Sequence, residues 1–448
     1  MNTPSAAPAV ALDGLLSWGR SLRAPHLGFS PGWRDELAPT LRAAAAAPGP
    51  GVLGVGLGRS YGDSGLNAGG AVILTGALDR LIAFDAAAGV LRAEAGASLA
   101  ALLEVIVPRG FFLPVTPGTR HVTLGGAVAN DVHGKNHHGA GTFGRWVRAL
   151  GLLRSDGTEH VLRPGDPLFA ATVGGLGLTG LITWVEITLL PIASAQMEVE
   201  EQVFEGLEGF FDLAEAAEGW PYTVAWVDCL ARGPALGRGL FQRARHAAEG
   251  GLAVQRPPRL LRMPLDAPGF ALNRASIGAF NALHFARGRR RAGRMRREPY
   301  LGFFYPLDGI AAWNRLYGRR GFFQYQCVVP PAAARAAMRA MLEAIAAAGE
   351  GSFLAVLKTF GALPSPGMLS FPMEGATLAL DFPNRGARTL ALLASLDAIV
   401  RAAGGRLYPA KDGRLPAAMF RAGYPRWEEF AALTDPAFSS SFWRRVAA

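Results

Sequence analysis

The sequence predicts an α+β protein with at least two domains. Within the first 195 residues, short apolar runs alternate with turns and with a capped helical pattern, which predicts one domain of interleaved strands and helices. Later in the chain, long alanine- and leucine-rich helical patterns follow strand patterns. The 448 residues are too many for a single core, and a composition of 50% hydrophobic and 18% charged residues is typical of an ordered globular chain.

The elements of the first part follow from local signals. Residues 98–107 form a helical pattern with Ser98 as its N-cap, and Pro108 lies just past its end. The pair Asp156-Gly157 separates two strand patterns and predicts a hairpin. The predicted strands are residues 71–75, 90–94, 148–154, 159–163 and 181–190, the last of them ended by Pro191.

The second part has longer elements. We expect helices at residues 331–348 and 388–403, the second stopped by Gly404-Gly405, and strands at residues 321–330 and 376–383. Residues 256–298 have prolines early and a basic cluster late, a pattern that favours a mobile, irregular loop or lid.

Charge and the apolar runs limit the cellular setting. The net charge of +10 favours an anionic partner without identifying it. Residues 1–17 lack the pattern of a signal peptide, and no run of eighteen apolar residues predicts a transmembrane helix, so we expect a cytoplasmic or peripheral membrane protein. Cys229 and Cys327 are far apart and are expected as reduced, packed thiols.

Three glycine-rich segments carry the strongest functional signal. They are residues 54–63, 117–138 and 174–182, and the first has four glycines within nine residues. Glycine lets the backbone approach a ligand closely, and successive N–H groups can bind an anion. Three such segments indicate a long cofactor of several parts rather than a single phosphate.

Several motifs identify a family. The run His133-Gly134-Lys135-Asn136-His137-His138 and the run Tyr408-Pro409-Ala410-Lys411-Asp412 resemble the decaprenylphosphoryl-β-D-ribose 2′-oxidase family, within the vanillyl-alcohol oxidase type of FAD-binding (PCMH-type) flavoproteins. Trp226 and residues 323–326 and 353–358 also match that family's pattern. The resemblance spans roughly residues 20 to 435.

The resemblance implies an architecture. We expect a two-part FAD-binding PCMH-type domain at residues 1–195. A substrate domain at residues 196–405 would be built on an antiparallel sheet with flanking helices, and residues 406–448 would return to the FAD domain. The cofactor is FAD.

The resemblance also implies an activity. It is the oxidation of a polyprenyl-phosphoryl pentose at its 2′-hydroxyl to a keto sugar, by hydride transfer to flavin N5. A short-chain reductase partner would complete the epimerisation for arabinose-donor or cell-envelope glycan synthesis. The alternatives are an FAD-dependent oxidase of a soluble sugar, alditol or aldonolactone, and a basic binding protein without catalysis.

Three positions depart from related patterns. Many sugar-lactone and alditol oxidases of this type have a histidine covalently joined to the flavin where this chain has Arg59, so we expect non-covalent FAD. Ala379 stands where the closest family has a cysteine, and Thr377 stands where it has an asparagine. Both differences put inhibitor sensitivity and substrate fit in question.

The resemblance and the chemistry of the side chains together assign the candidate residues. The candidate catalytic residues are Lys411, His133 and Tyr408, and those for the substrate are Lys135, Trp226, Gln326 and Lys358. The candidates for FAD are Gly56, Gly58, Arg59, Ser60, Tyr61, Gly62, Gly118, Thr119, Gly125, Gly126, Asn130, Asp131, His133, Gly134, Asn136, Gly180 and Ile182.

The glycine pair at the centre of the second segment has two interpretations. Gly125-Gly126 is expected to open a helix whose N-terminus faces the pyrophosphate, and the alternative is close packing.

Two further clusters have alternative interpretations. His121, His133, His137 and His138 could suggest a metal, but no cysteine or carboxylate pattern supports one and none is expected. Residues 287–297 hold seven arginines in eleven residues. This cluster could attract anionic lipid headgroups or be a solvated loop; nucleic acid is not expected because interleaved aromatic residues are lacking.

Overall fold

The computed structural model describes residues 5–256 and 261–447, and it has an α+β fold with three main sheets. The strands of the first part are β1 (Ala9–Leu16), β2 (Arg23–Phe29), β3 (Val52–Val55), β4 (Ala71–Leu74), β5 (Leu81–Asp85), β6 (Val90–Glu94), β7 (Phe111–Phe112), β8 (Val147–Leu153), β9 (Glu159–Leu162), β10 (Leu181–Thr188) and β11 (Leu190–Pro191). Its helices are α1 (Leu37–Ala45), α2 (Leu99–Ile106), α3 (Leu124–Ala129), α4 (His137–Ala140) and α5 (Pro167–Thr172).

The second part carries the longest helices. Its strands are β12 (Gln196–Phe204), β13 (Tyr222–Val227), β14 (Gly239–His246), β15 (Leu261–Arg262), β16 (Met295–Pro299), β17 (Ile310–Ala311), β18 (Phe322–Val329), β19 (Ala355–Phe360), β20 (Gly375–Pro383) and β21 (Arg406–Leu407). Its helices are α6 (Leu207–Ala216), α7 (Arg274–Arg291), α8 (Tyr300–Phe304), α9 (Pro331–Ala348), α10 (Ala387–Ala402), α11 (Ala417–Gly423), α12 (Trp427–Leu433) and α13 (Ser441–Ala447).

Two sheets organise the first part. The four-stranded sheet has the order β1-β2-β4-β3, with β4 parallel to both of its neighbours. The five-stranded sheet has the order β5-β6-β10-β8-β9 and is antiparallel. Gly157 turns the hairpin between β8 and β9 at φ 87°, which confirms the predicted Asp156-Gly157 turn.

An eight-stranded antiparallel sheet organises the second part, in the order β16-β12-β14-β13-β19-β20-β18-β21. Successive side chains on a strand point to opposite faces, so each strand divides its residues between two environments. Leu357, Cys327 and Leu378 point to the face that forms a buried core with α9 and α10. The other face is left for the candidate site.

Most predicted elements are confirmed. Helix α2 has Ser98 as its N-cap, whose Oγ accepts from Ala101 N at 3.1 Å. The other predicted helices are α9, with the expected bounds, and α10, which is shifted by one residue. The predicted strands correspond to β4, β6, β8, β9, β10, β18 and β20 within one or two residues. Cys229 and Cys327 are both free and buried, as expected.

The expectation of an irregular loop at residues 256–298 is wrong for most of the part of that segment that the structure describes. Residues 257–260 lie outside the described residues, but α7 covers eighteen residues and β16 pairs with β12. Asn273 caps α7 in a reciprocal capping box with Ser276. The helix buries Ile277 and Phe285 along one stripe, but Phe280 and Leu283 are exposed, so its apolar residues do not mark a single face.

The last part of the chain contacts the first. Val52 N donates to Ala437 O at 2.8 Å, Ser439 N donates to Val52 O at 3.0 Å, and Tyr61 N donates to Ala410 O at 2.9 Å. Ala410 therefore lies beside the first glycine-rich segment and residues 437–439 lie beside β3, while the proposed domain boundaries stay a prediction. No helix in the described ranges is long and apolar enough to cross a membrane.

Candidate active site

The first two glycine-rich segments leave a row of backbone donors open. A Cβ built on Gly58 or Gly118 would have no heavy atom within 4 Å, and Gly58 has the left-handed φ of 61°. Arg59 ties the two segments together because its Nε donates to His121 O at 3.0 Å. Within residues 5–256 and 261–447, the following N–H groups have no hydrogen-bond partner: Leu57, Gly58, Arg59, Ser60, Gly118 and Thr119.

Gly125 and Gly126 lie in the first turn of α3, as expected, whereas the approach of a pyrophosphate to the N-terminus of this helix stays a prediction. Thr123 is the N-cap, and its Oγ1 accepts from Gly126 N at 3.1 Å. Gly125 N donates to Ala95 O at 2.7 Å, so the first amides of the helix already have partners. A Cβ on Gly125 would lie 2.8 Å from Ala95 Cβ. The alternative of close packing therefore accounts for this glycine.

The third segment packs against the first. Leu181 Cδ1 lies 2.7 Å from where a Cβ on Gly54 would be, and Gly180 has φ 143°. Ile182 is buried in β10, and Leu176 N donates to Ala129 O at 2.8 Å beside α3. The three segments thus converge.

One row of side chains crosses the free face of the large sheet. Trp226 on β13 is opposite Val356 on β19, Val356 is opposite Ala379 on β20, and Ala379 is opposite Gln326 on β18. Two small or medium side chains thus lie between a tryptophan and a glutamine. This arrangement forms an apolar floor with a polar group at one side.

His133 lies at the centre of the site. Its Nε2 is 3.0 Å from Gln326 Nε2, and its Nδ1 is 3.3 Å from Lys358 Nζ. Its ring packs against Phe360 with centroids 4.8 Å apart. Burial, reinforced by Lys358, lowers the pKa of His133 well below its usual value, so the imidazole is neutral.

Three lysines converge on the same region. Burial lowers the pKa of Lys135 and of Lys358 to about 7, and Lys135 and Lys411 add repulsion at Lys358. Burial lowers the pKa of Lys411 to about 8, against the attraction of Asp381. Lys135 Nζ donates to Phe303 O, and Lys358 Nζ donates to Gly134 O at 3.3 Å.

Lys411 differs from the other two lysines in its contacts. Its Nζ lies 4.1 Å from the centre of the Tyr61 ring. In the described part of the chain, Nζ makes neither a hydrogen bond nor an ion pair. Tyr408, three residues earlier, stacks on Phe371 and donates to Asn130 O at 2.9 Å. The amine is therefore available to a ligand, whereas the Tyr408 hydroxyl is already engaged.

The remaining predicted residues build the surrounding loops. Asp131 accepts from Gly144 N at 2.8 Å and from Ser370 Oγ at 2.5 Å, and burial raises its pKa to about 6. Asn136 Nδ2 donates to Pro114 O at 2.8 Å. A Cβ on Gly62 would lie 1.8 Å from Asp412 O, so this glycine allows close contact with the Lys411 segment.

Asp381, Gln324 and Tyr317 are absent from the candidates drawn from the sequence, yet they border the site. Asp381 is fully buried and accepts from Gln324 Nε2 at 2.6 Å. A charged residue within the strand pattern of residues 376–383 was the available signal. Among the described residues there is no group of three potential metal ligands.

Comparisons with known proteins give the site its context. Residues 25–163 match a family model described as an FAD binding domain. The chain is 36% identical to the decaprenylphosphoryl-β-D-ribose oxidase of Mycolicibacterium smegmatis, over 96% of this chain and 97% of that protein. It is 39% identical to an uncharacterized protein of Streptomyces coelicolor, over 77% of this chain and 98% of that one. An L-gulono-1,4-lactone dehydrogenase of Mycobacterium tuberculosis is 30% identical over 43% of this chain and 45% of its own.

The residues present fit FAD. The open N–H groups at residues 57–60 and 118–119 can donate to a pyrophosphate, and no side chain blocks the approach to Gly58 or Gly118. The free Nζ of Lys411 faces the region between these loops and the large sheet. With a relative that covers nearly its whole length, the chain belongs to the decaprenylphosphoryl-β-D-ribose oxidase family and is an FAD-dependent oxidoreductase acting on CH–OH groups.

Proposed function

We propose that this protein oxidises a polyprenyl-phosphoryl pentose, with ribose as the sugar, at the 2′-hydroxyl to give a keto sugar. The observation that carries the proposal is the convergence of Lys135, Lys358 and Lys411 beside His133 on the free face of the large sheet. The relative from Mycolicibacterium smegmatis, whose name gives decaprenylphosphoryl-ribose as its substrate, supports the same substrate class.

The charge balance of the site favours a phosphate over a free sugar. Lys358 is repelled by both other lysines, and desolvation lowers the pKa of each amine. A phosphate group would accept charge-assisted hydrogen bonds and restore the protonated form of the amines that it contacts. A free pentose, alditol or lactone offers only neutral oxygens and would leave the repulsion uncompensated.

Each side chain of the site has a distinct role toward the sugar. Bound FAD supplies the acceptor for the hydride. In its neutral form Lys411 takes the proton of the reacting hydroxyl, since its Nζ has no hydrogen-bond partner in the described chain and its pKa is lowered to about 8. Gln326 and His133 orient the sugar by hydrogen bonds, and Trp226 closes one side of the floor. Tyr408 fixes the loop that carries His133 through its bond to Asn130 O.

FAD is held without a covalent bond in this proposal. Arg59 lies where related sugar oxidases have the linking histidine, and its guanidinium is 3.9 Å from the centre of the Trp18 ring. A guanidinium fixed in this way is no nucleophile for the flavin.

The test is anaerobic reduction of the bound FAD, followed by its visible absorbance. A polyprenyl-phosphoryl ribose should bleach the flavin, whereas free ribose, an alditol and L-gulono-1,4-lactone should not at the same concentration. The variant Lys358→Met should raise the lipid substrate's half-saturating concentration at least tenfold, which corresponds to about 1.4 kcal/mol. Bleaching by a soluble sugar or lactone, with no response to the lipid phosphate, would favour the alternative substrate class and refute the proposal.

The keto product requires a second enzyme. A ketone at the former 2′ position is returned to an alcohol of opposite configuration only by a reductase, so a short-chain reductase is the proposed partner for arabinose-donor and cell-envelope glycan synthesis. Adding such a reductase with its nicotinamide cofactor should convert the keto product to the arabinose epimer. Accumulation of a ketone at another carbon would contradict the proposed position of oxidation.

A membrane surface is the proposed meeting place with the lipid substrate. Arg296 pairs with Glu298 at 3.0 Å and Arg297 with Glu198 at 3.2 Å, so these two arginines are partly neutralised. The arginines that end α7 are exposed, and residues 261–295 also include six exposed large apolar side chains. These are Leu261, Leu265, Phe270, Phe280, Leu283 and Met295.

Charge reversal on α7 tests the membrane contact. The triple variant Arg287→Glu, Arg290→Glu, Arg291→Glu should lose most binding to vesicles of anionic phospholipid while keeping its FAD content. The matched control is Arg42→Glu, Arg163→Glu, Arg401→Glu, which changes the net charge equally at exposed positions elsewhere. Equal losses of vesicle binding in both variants would mean that net charge alone causes the effect. Unchanged vesicle binding in the α7 variant would mean that these arginines are solvated and do not contact a membrane.

A further inference from the structure

His133 lies between two nitrogens that ordinarily donate hydrogen bonds. Its Nε2 is 3.0 Å from Gln326 Nε2, and its Nδ1 is 3.3 Å from Lys358 Nζ. An amide nitrogen and an ammonium are donors only, whereas a neutral imidazole has one N–H group and one bare nitrogen. Because burial lowers the pKa of His133 well below its usual value, the imidazole is neutral and only one of its nitrogens can accept. An ammonium on Lys358 and this orientation of the Gln326 amide therefore exclude each other.

Two arrangements satisfy all three side chains. In the first, Gln326 Nε2 donates to His133 Nε2, and the Nδ1–H of His133 donates to a neutral Lys358. In the second, Lys358 is an ammonium that donates to His133 Nδ1, and the Nε2–H of His133 donates to Gln326 Oε1 after the amide has turned over. An Nδ1 proton that faced an ammonium across 3.3 Å would set two donors against each other, so this third combination is disfavoured.

The neighbouring groups permit both arrangements. Thr377, opposite Lys358 in the sheet, accepts from Gln326 Nε2 at 3.3 Å, and a hydroxyl can equally donate to the amide oxygen when the amide turns over. Lys358 Nζ also donates to Gly134 O at 3.3 Å, so an ammonium has this second acceptor and one proton left for a ligand. Gln326 Oε1 accepts no hydrogen bond from the described residues, so that end of the amide is available to a ligand.

We propose that Lys358 is a positioning residue that sets, through His133, which end of the Gln326 amide is presented to the ligand. While Lys358 is neutral, Gln326 presents Oε1, an acceptor for a sugar hydroxyl. An anionic oxygen stabilises the ammonium of Lys358, and Gln326 then presents Nε2 as a second donor to that anion.

The change takes up one proton. His133 passes its Nδ1 proton to the amine of Lys358 and receives a proton from solvent at Nε2, so the imidazole stays neutral. The site thus offers two donors to a phosphate and an acceptor to a neutral sugar. This inference deepens the proposed function and rests on it for the phosphate ligand.

The titratable groups around the two side chains leave the change to Lys358. The others that act on Lys358 or contact His133 are Lys135, Lys411, His137 and Tyr408. Burial, with repulsion from the two other lysines, lowers the pKa of Lys358 to about 7. Burial lowers the pKa of His137 to about 3 and raises that of Tyr408, so both stay neutral. Among the described residues, Lys358 is the titrating group in hydrogen-bond contact with His133.

The test follows the tautomer of His133 by nitrogen-15 NMR of the histidine-labelled holoenzyme, without substrate. The bare and the protonated nitrogen of a neutral imidazole differ widely in chemical shift, and the signals missing from His133→Gln identify this residue. We expect the proton on Nδ1 at pH 9 and on Nε2 at pH 6, with a midpoint near the pKa of Lys358, about 7. The same tautomer at both pH values would overturn the inference.

Three variants assign the change to these side chains. Lys358→Met should hold His133 in one tautomer at both pH values, and a pH-dependent tautomer in this variant would contradict the role of Lys358. Lys135→Met is the matched control, because it removes another buried lysine: the change should persist, with its midpoint at higher pH since one repulsion is gone. Gln326→Glu, whose carboxylate only accepts, should keep the proton on Nε2 throughout, and a proton on Nδ1 at pH 9 would count against the inference even if Lys358→Met does not fold.

Inorganic phosphate separates this inference from the proposed function. At pH 8, phosphate should move the His133 proton from Nδ1 to Nε2, whereas free ribose should not, because only the anion stabilises the ammonium of Lys358. A pH-dependent tautomer without a response to phosphate would support the role of Lys358 and count against a phosphate ligand in the proposed function. A response to phosphate that persists in Lys358→Met would overturn the inference and leave the proposed substrate class standing.

Discussion

Replacing Gly118 by alanine should weaken FAD binding without lowering the stability of the apoprotein. A Cβ at Gly118 would have no protein atom within 4 Å, and the glycine does not have a left-handed φ. The free energy of unfolding of the apoprotein should therefore not fall. It should rise by about 0.4–1 kcal/mol, because alanine reduces the conformational entropy of the unfolded chain. If FAD lies against this backbone, the methyl group must displace it, and we expect at least tenfold weaker binding, about 1.4 kcal/mol.

The assay titrates the apoprotein with FAD and follows the quenching of flavin fluorescence, alongside urea denaturation of the apoprotein. Gly139→Ala is the matched control, because that glycine is also exposed with no atom within 4 Å of its Cβ and belongs to α4, away from the open donors. FAD binding by Gly118→Ala within twofold of the parent protein, at unchanged stability, would refute the idea that the cofactor passes over this loop.

Three other predictions concern the site. Lys358→Met should stabilise the apoprotein at pH 7, since it removes a buried cation next to two others. Between pH 7 and 10 the unfolded parent protein holds a proton that the folded lysine lacks, so the free energy of unfolding of the parent rises with pH and that of the variant should rise less. Urea denaturation at both pH values measures this difference. Precipitation with trichloroacetic acid should leave FAD in the supernatant, and a flavin that stays with the pellet would mean a covalent link. Tyr408→Phe keeps the stack on Phe371 but loses the 2.9 Å bond to Asn130 O, so its free energy of unfolding should fall by about 1 kcal/mol in urea denaturation.

Local signals predicted the regular elements well where the hydrophobic spacing of a single helix or strand dominated the segment. Helix α9 begins with proline at its first turn and ends at Gly349 with φ 67°, and both features can be read from the sequence. Helix α7 was missed because arginines fill its last turns and prolines precede it. Its capping residue Asn273 and the buried stripe from Ile277 were weaker signals than the charge.

The candidate site shows the limit of sequence spacing. His133 and Lys358 are 225 positions apart, yet their nitrogens are 3.3 Å apart, and only the resemblance to a family brought them into one site beforehand. Asp381 was missed because its donor, Gln324, is 57 positions away on another strand. Pairing between distant strands decides such contacts, and no local pattern encodes it.

The contacts of residues 410–412 with the first glycine-rich segment, and of residues 437–439 with β3, have a consequence for biosynthesis. Tyr61 N bonds to Ala410 O, and β3 is flanked by Phe438, so the wall of the cofactor site is completed by residues that the ribosome adds about 350 positions later. A nascent chain that has already folded its first two sheets still lacks Lys411 and the support behind β3. We therefore expect FAD capture to be a late event, after translation of nearly the whole chain, and ribosome-stalled fragments that end before residue 408 should emerge without flavin.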